Sequence, residues 1–166
     1  MADVAIQPVR DEDIQDITAL AGVIWRAHYP GIISTAQIEY MLGYMYAPET
    51  IRAECGRGVA WVKVMVGGAL SGFASFSPVD DGSAMKLHKL YLLESERGRG
   101  VGSAVIAHIA AETRKAGFTK LVLAVNKNNS GAIHVYEKNG FVIEKAVVSS
   151  IGGGFVMDDF IMALDI

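Results

Sequence analysis

The sequence predicts an α/β (α+β) fold, a mixed but mostly antiparallel central sheet of about 6–7 strands flanked by helices. Three observations carry this. Val59–Val66 and Ala69–Ser77 are β-rich runs separated only by Gly67-Gly68, a two-residue turn of the kind that joins antiparallel strands. Ala84–Val125 reads as strand, glycine-rich turn, helix, strand, and such a crossover makes its two strands parallel neighbours. The N-terminal part carries apolar residues at helical spacing.

Val4–Pro8 is a short strand closed by proline. Asp11 is placed to cap the following helix, which runs to about His28, because Ile14, Ile17, Leu20, Ala21 and Ile24 fall on one face. Pro30-Gly31 breaks it. Ser34 and Gln37 have capping-box spacing, and Ile38, Met41, Leu42 and Met45 mark a second helix. Pro48 opens a third, short helix that ends near Gly56. After the hairpin and a loop at Pro78–Gly82, Ala84–Leu93 is a strand. A helix follows over Val101–Ala116, with Gly117 as its stop signal. Lys120–Val125 is a strand and Asn129–Lys138 a helix. Phe141–Ile151 and Phe155–Leu164 are two last strands around Gly152-Gly153-Gly154.

The 166 residues suit one domain, 1–166. At 51% hydrophobic and 20% charged residues the chain can build a core and does not read as disordered. A net charge of −3 disfavours nucleic acid as a partner. Met1–Arg10 lacks the pattern of a signal peptide, and no run approaches the roughly 20 apolar residues of a membrane span. The expectation is a cytoplasmic protein without a membrane partner. Cys55, the single cysteine, allows no internal disulfide and reads as structural or surface. His28, His88, His108 and His134 show no metal-ligand spacing, so no metal is expected.

The chemistry-bearing segment is Arg97-Gly98-Arg99-Gly100-Val101-Gly102, where a strand runs through alternate glycines into a helix. Glycines let the backbone approach a ligand and adopt positive φ, and the N–H groups of the first helical turn attract an anion. Arg97 and Arg99 add positive charge, so the expected ligand carries phosphate or pyrophosphate. A P-loop is excluded because no Gly-Lys-Ser/Thr follows. A dinucleotide fingerprint is excluded because Ser103 stands where a third glycine belongs, and Asn126-Lys127 where a ribose-binding acid belongs.

The segment matches Arg/Gln-x-x-Gly-x-Gly after the strand Leu87-His88-Lys89-Leu90-Tyr91-Leu92. A second segment has Asn129, then Tyr136 seven residues on, then Gly140-Phe141. On these two signatures and the order of elements, the chain resembles the GNAT superfamily of acyl-CoA N-acyltransferases. The resemblance implies a GNAT-like fold and acetyl-CoA as co-substrate. It implies that Leu90, Tyr91 and Leu92 present backbone groups to the pantetheine arm and acetyl carbonyl. Arg97, Gly98, Arg99, Gly100, Val101, Gly102 and Ser103 then cradle the pyrophosphate, and Asn129 contacts the cofactor. It implies that Tyr136 is the general acid, a role suited to a group with a normal pKa of about 10; the plainer reading is a helix tyrosine packed on the sheet.

The general base stays open. Relatives place a glutamate where this chain has Ala124, or in the preceding strand, where it has Lys86. His88 lies on the same strand face as Lys86 and Leu90 and is a candidate base, or simply a histidine lining the cleft. A water chain is a third route. The expected partner is a small-molecule amine. The Gly154–Phe160 ending and the Gln37–Met41 helix resemble the bacterial polyamine acetyltransferases, and Glu39, Asp80, Asp81, Asp158 and Asp159 are acids suited to a polycation. A protein N-terminal amine and a regulatory domain that binds acetyl-CoA without turnover are the alternatives. Trp25, Tyr29, Tyr40 and Tyr44 should be mostly core, although in that family their helices wall the acceptor site. Oligomeric state is not written in the sequence, although homodimers are common in the superfamily.

Overall fold

The computed structural model describes residues 3–166; Met1 and Ala2, the start of the N-terminal segment considered above, lie outside the described residues. The elements are β1 (Val4–Pro8), α1 (Ile14–His28), α2 (Thr35–Met45), α3 (Pro48–Gly56), β2 (Ala60–Val66), β3 (Ala69–Pro78), β4 (Met85–Leu92), α4 (Val101–Lys115), β5 (Lys120–Asn126), α5 (Ser130–Lys138), β6 (Val142–Gly152) and β7 (Phe155–Asp165). The strands form a 7-stranded sheet in the order β1-β2-β3-β4-β5-β7-β6. β4 and β5 are parallel, with Met85 opposite Leu121. The pairs β1–β2, β5–β7 and β6–β7 are antiparallel. β3 and β4 form a hairpin, with Leu93 N donating to Ser71 O at 2.8 Å and Val79 N to Ala84 O at 2.9 Å. This is the mixed, mostly antiparallel sheet that the turn chemistry predicted.

Local signals set most boundaries. Gly67 and Gly68 have φ of 58° and 82°, as the tight turn between β2 and β3 requires. Gln37 N donates to Ser34 Oγ at 3.1 Å, so Ser34 caps α2. One capping assignment is corrected. Asp11–Asp13 form a single 3₁₀ turn ahead of α1, and the Arg10 backbone N–H donates to Asp13 Oδ2 at 2.8 Å. Of the consecutive acids, the third has the reach. Asp11 instead pairs with Arg52 at 2.7 Å. The Arg10 bond, and then Lys63 at 3.0 Å, hold the Asp13 carboxyl below its usual range.

Contacts divide the chain into two compact units, Met1–Ser75 with Lys89–Val105, and Phe76–His88 with Ile106–Ile166. β3, β4 and α4 each pass along the chain from one to the other. In the first unit the core is aromatic. Ring centroids lie 5.5 Å apart for Trp25–Tyr91, 5.6 Å for Tyr46–Phe73 and 5.9 Å for Trp61–Phe73. Trp25 and Tyr29 are core as expected, but Tyr44 is 61% exposed and stacks on Tyr40. Tyr46 takes the buried place, because α2 has ended at Met45 and the chain turns inward there. Gly72 is required by close approach rather than by a turn. A Cβ there would sit 2.5 Å from the Tyr91 carbonyl oxygen.

In the second unit Leu121, Leu123 and Val125 alternate with less buried residues along β5 and pack in a core with Ile106, Ile109, Phe141 and Met162. Each such side chain contributes roughly 1.5–3 kcal/mol by leaving water. β6 is the edge strand. It is largely exposed and carries register shifts at Ile143/Lys145 and Ser150/Gly152, irregularities that blunt a free edge.

Candidate active site

The glycine-rich turn belongs to the first unit. β4 ends at Leu92, a single 3₁₀ turn spans Glu94–Glu96, and Arg97–Gly100 then leads into α4. Gly98 and Gly100 have φ of 73° and 78°. A Cβ at either would meet nothing within 4 Å, so it is the left-handed backbone, not crowding, that requires glycine. Ala104 N donates to Gly100 O at 3.1 Å, which makes Gly100 the residue that starts the helix. The N–H groups of Val101, Gly102 and Ser103 are therefore first-turn donors that no carbonyl of α4 can reach. The Val101 side chain, 1% exposed, pins the turn to the core. The result is a cradle of backbone donors, of the kind that attracts an anion, at the N-terminus of a 15-residue helix.

The two arginines are both engaged, which the sequence reading did not foresee. Arg99 pairs with Glu96 at 2.9 Å, so much of its charge at the cradle is offset. The i,i+3 spacing of that pair was visible in the sequence. The Arg97 guanidinium lies 2.9 Å from His28 Nδ1. Arginine only donates, so Nδ1 is the acceptor in this contact. His28 is 69 residues from Arg97 and no local pattern could have paired them. A cavity of about 200 Å³ opens beside this pair, with Ile24, Ala27, Leu92 and Ser95 in its wall. Leu90 and Leu92 are half-buried, and the Tyr91 hydroxyl lies 2.9 Å from that of Tyr29.

The second unit holds the candidates for proton transfer. His88 is exposed, and its Nε2 lies 2.6 Å from Ser77 Oγ. Lys86 stands opposite Val122, so Lys86, His88, Val122 and Ala124 share one face of the sheet. Asn129 is 5% exposed and caps α5, its Oδ1 accepting from Ala132 N at 3.4 Å. That oxygen has a structural task whatever else the side chain contacts. Tyr136 is half-buried on α5, its ring 5.6 Å from that of Phe141.

The acids singled out for a polycation differ. Arg26 holds Glu39 through two bonds of 2.9 and 2.8 Å, which keeps the Glu39 carboxyl below its usual range. Asp80 and Asp81 are exposed, and Asp81 accepts from Ser83 N at 2.9 Å. Asp158 is exposed and pairs with Lys127 at 2.8 Å. Asp159, its neighbour, is instead buried at 5% exposure. Burial, then the Asp158 charge, push its carboxyl above the usual range, against the pull of Lys86 and Lys127. Cys55 is exposed, and partial burial of its thiol raises its pKa, which fits an unreactive surface role. Among the described residues no group of three His, Cys, Asp or Glu could hold a metal ion, and no helix is long and apolar enough to cross a membrane.

Comparison with known proteins places this arrangement. Residues 25–141 match the model of the acetyltransferase (GNAT) family, a span that includes the glycine turn and Tyr136. The chain is 25% identical over 160 residues to the spermidine N(1)-acetyltransferase of Thermoplasma acidophilum, covering 93% of this chain and 96% of that protein. It is 30% identical over 135 residues to the uncharacterized N-acetyltransferase YuaI of Bacillus subtilis, covering 78% and 76%. In fold it is similar to the crystal structure of the PaiA N-acetyltransferase from Thermoplasma acidophilum in complex with coenzyme A, at a TM-score of 0.84, 24% identity and 99% of both chains. On the family match and the relatives together, this chain belongs to the acetyltransferase (GNAT) family.

Proposed function

We propose that this acetyl-CoA-dependent acetyltransferase transfers its acetyl group directly to a primary amine of a small, polyamine-type acceptor. The anion cradle at Gly98–Ser103 is the observation that carries the reading, because it supplies the backbone donors that a pyrophosphate needs. In this reading Arg97 adds charge beside the cradle. The backbone of Leu90, Tyr91 and Leu92 receives the pantetheine arm and the acetyl carbonyl, and Asn129 contributes to the cofactor. The amine attacks the thioester once it has lost a proton. Backbone donors stabilise the oxyanion that forms, and Tyr136 protonates the departing thiolate. His88 is one candidate base. The polyamine acceptor is supported by the spermidine-acetylating relative. It is also supported by exposed acids whose ion pairs are surface pairs, weak enough for a polycation to exchange.

Release of free CoA thiol from acetyl-CoA, measured against spermidine, a monoamine and a peptide with a free N-terminus, tests this. Spermidine should be turned over best. Its rate should fall with added salt, mainly through KM, since attraction between exposed charges is screened over about 8 Å at physiological ionic strength. A preference for the peptide would shift the reading to protein N-termini. Equal, salt-indifferent rates for monoamine and spermidine would remove polyamines.

A further inference from the structure

Asp159 is, among the described residues, the one acidic side chain that is buried. Its Oδ1 is enclosed and has no hydrogen-bond partner among the described residues. Buried carboxylate oxygens are normally satisfied, so an open one calls for an explanation. Its place in the sheet supplies one. Asp159 on β7 stands opposite Asn126 on β5, and Ile161 stands opposite Ala124. Paired residues share a face, so Asp159 lies on the face that carries Val122 and Ala124, and with them Lys86 and His88 of β4. The ammonium of Lys127, just past β5, is held by Asp158 at 2.8 Å. From β6 the residue opposite Asp159 is Val147, which brings no charge. Lys86, Lys127 and Asp158 are the charges that act on it. His88, the other base candidate on this face, has its Nε2 engaged by Ser77.

We propose that Asp159 is the proton acceptor for the acceptor amine: its Oδ1 takes a hydrogen bond from the ammonium and then the proton, before the nitrogen attacks. The inference rests on the amine acetyltransferase reading above. The R–NH₃⁺ group gives one proton to the carboxylate and becomes R–NH₂. The nitrogen forms the C–N bond as the C–S bond breaks. The thiolate gains a proton from Tyr136, the second proton lost by the nitrogen restores the Tyr136 hydroxyl by way of solvent, and the carboxylic acid returns its proton to solvent. Net, ammonium and thioester give amide, thiol and one proton. Burial suits the carboxyl to this task, since a base works best when its pKa approaches the working pH.

The test measures kcat and kcat/KM against pH for the full chain with acetyl-CoA and primary amines of graded pKa. Asp159→Asn should lower kcat about 100- to 10,000-fold at neutral pH, the usual range for a positioned base. The deficit should shrink at high pH and with amines of low pKa, which arrive already deprotonated. A merely structural role would leave the deficit independent of amine pKa, and that result overturns the proposal. So does an unchanged acidic limb in Asp159→Asn, or its loss in His88→Gln instead. The wild-type protein alone gives a second check, independent of whether the variant folds. Its acidic limb in kcat should stay fixed across the amine series, and a limb that follows each amine's own pKa overturns the proposal. Turnover by the wild type with any of these outcomes leaves the acetyltransferase reading standing. No turnover of any primary amine removes that reading and this inference together.

Discussion

The two units treat a buried charge in opposite ways. In the first, Lys89 is 7% exposed and its ammonium lies 5.3 Å from the Trp61 ring centre and 5.6 Å from that of Tyr46. Aromatic faces attract a cation, and the burial is compensated by the fold itself. In the second, Asp159 is equally enclosed, yet one of its oxygens has no partner among the described residues. A compensated charge is part of the architecture; one with an open oxygen is held at a cost to stability. The same contrast runs through the rest of each unit. The first offers fixed donors: glycine-shaped backbone at the start of α4, with Arg97 and Arg99 already paired. The second carries the groups proposed above to handle protons: His88, Tyr136 and Asp159. Of the residues given roles in the function proposed above, those of the glycine turn lie in the first unit and those proposed to handle protons in the second, and substitutions should separate the two roles.

The largest effect should come from the cradle. Gly100→Asp places a side chain and a negative charge where the pyrophosphate is proposed to lie, and forces a non-glycine residue to φ 78°, a strain of roughly 1–2 kcal/mol. Acetyl-CoA should raise the melting temperature of the wild type, because it binds the native state. The variant should show no such rise at any concentration. Gly67→Ala, at φ 58° in a hairpin turn, carries comparable strain far along the chain from the cradle and should keep the rise. A rise retained in Gly100→Asp would place the donor site elsewhere.

Next comes Tyr136→Phe, which keeps the ring against Phe141 and removes only the hydroxyl. Turnover should fall about 10- to 1,000-fold while the acetyl-CoA melting shift survives. Loss of the shift would merge the binding and proton-handling roles that the comparison separates. Full turnover would show that the thiolate takes its proton from water.

How much of this was legible in the sequence follows from the range of each interaction. The glycine turn, the Ser34 cap, the Gly67-Gly68 hairpin and the parallel β4–β5 crossover rest on neighbours in the chain, and local patterns revealed them. Tyr136 was singled out because its spacing from Asn129 and Gly140 matches a family signature. The Arg97–His28 contact and the Lys89 site depend on residues brought together by folding. Lys89 sits in an alternating strand as an ordinary polar position, and nothing nearby in sequence announces Tyr46 or Trp61 as its partners. Asp158 and Asp159 were separable in principle by alternation. The sequence did not say which face of β7 would be covered, because β6 at the sheet edge carries register shifts.

The Lys89 side of the contrast predicts a loss of stability. Lys89→Ala removes both the cation over two rings and the apolar stem that covers them. Unfolding free energy should drop about 1–3 kcal/mol, combining a cation–π contact of up to about 2 kcal/mol with lost packing. Lys89→Met, which restores the stem without the charge, should recover part of the loss. Chemical denaturation of the three proteins measures the split. A full recovery in Lys89→Met would show that packing alone matters and that the charge is not compensated by the rings.

The Asp159 side predicts a smaller change of opposite sign. Its carboxyl is raised in the folded state by burial and by Asp158, above the unfolded value of about 3.9. The native protein therefore binds this proton more readily than the unfolded chain. Stability linked to Asp159 is greatest when the group is protonated and declines as pH rises from the unfolded value through the folded one, reaching its full cost above that window. Asp159→Asn removes the ionisable group while keeping its shape. At neutral pH the variant should be more stable by about 1 kcal/mol, the low end of the penalty for an unsatisfied buried group, and should melt roughly 2–4 °C higher. The advantage should shrink as pH falls through the raised folded value and be gone below the unfolded value of about 3.9, where Asp159 is protonated in both states. A variant that gains stability while losing turnover is what a carboxylate kept for reaction requires. A variant destabilised equally at pH 4 and pH 7 would mean that Asp159 makes structural contacts through its oxygens, and the contrast with Lys89 would collapse into two compensated charges.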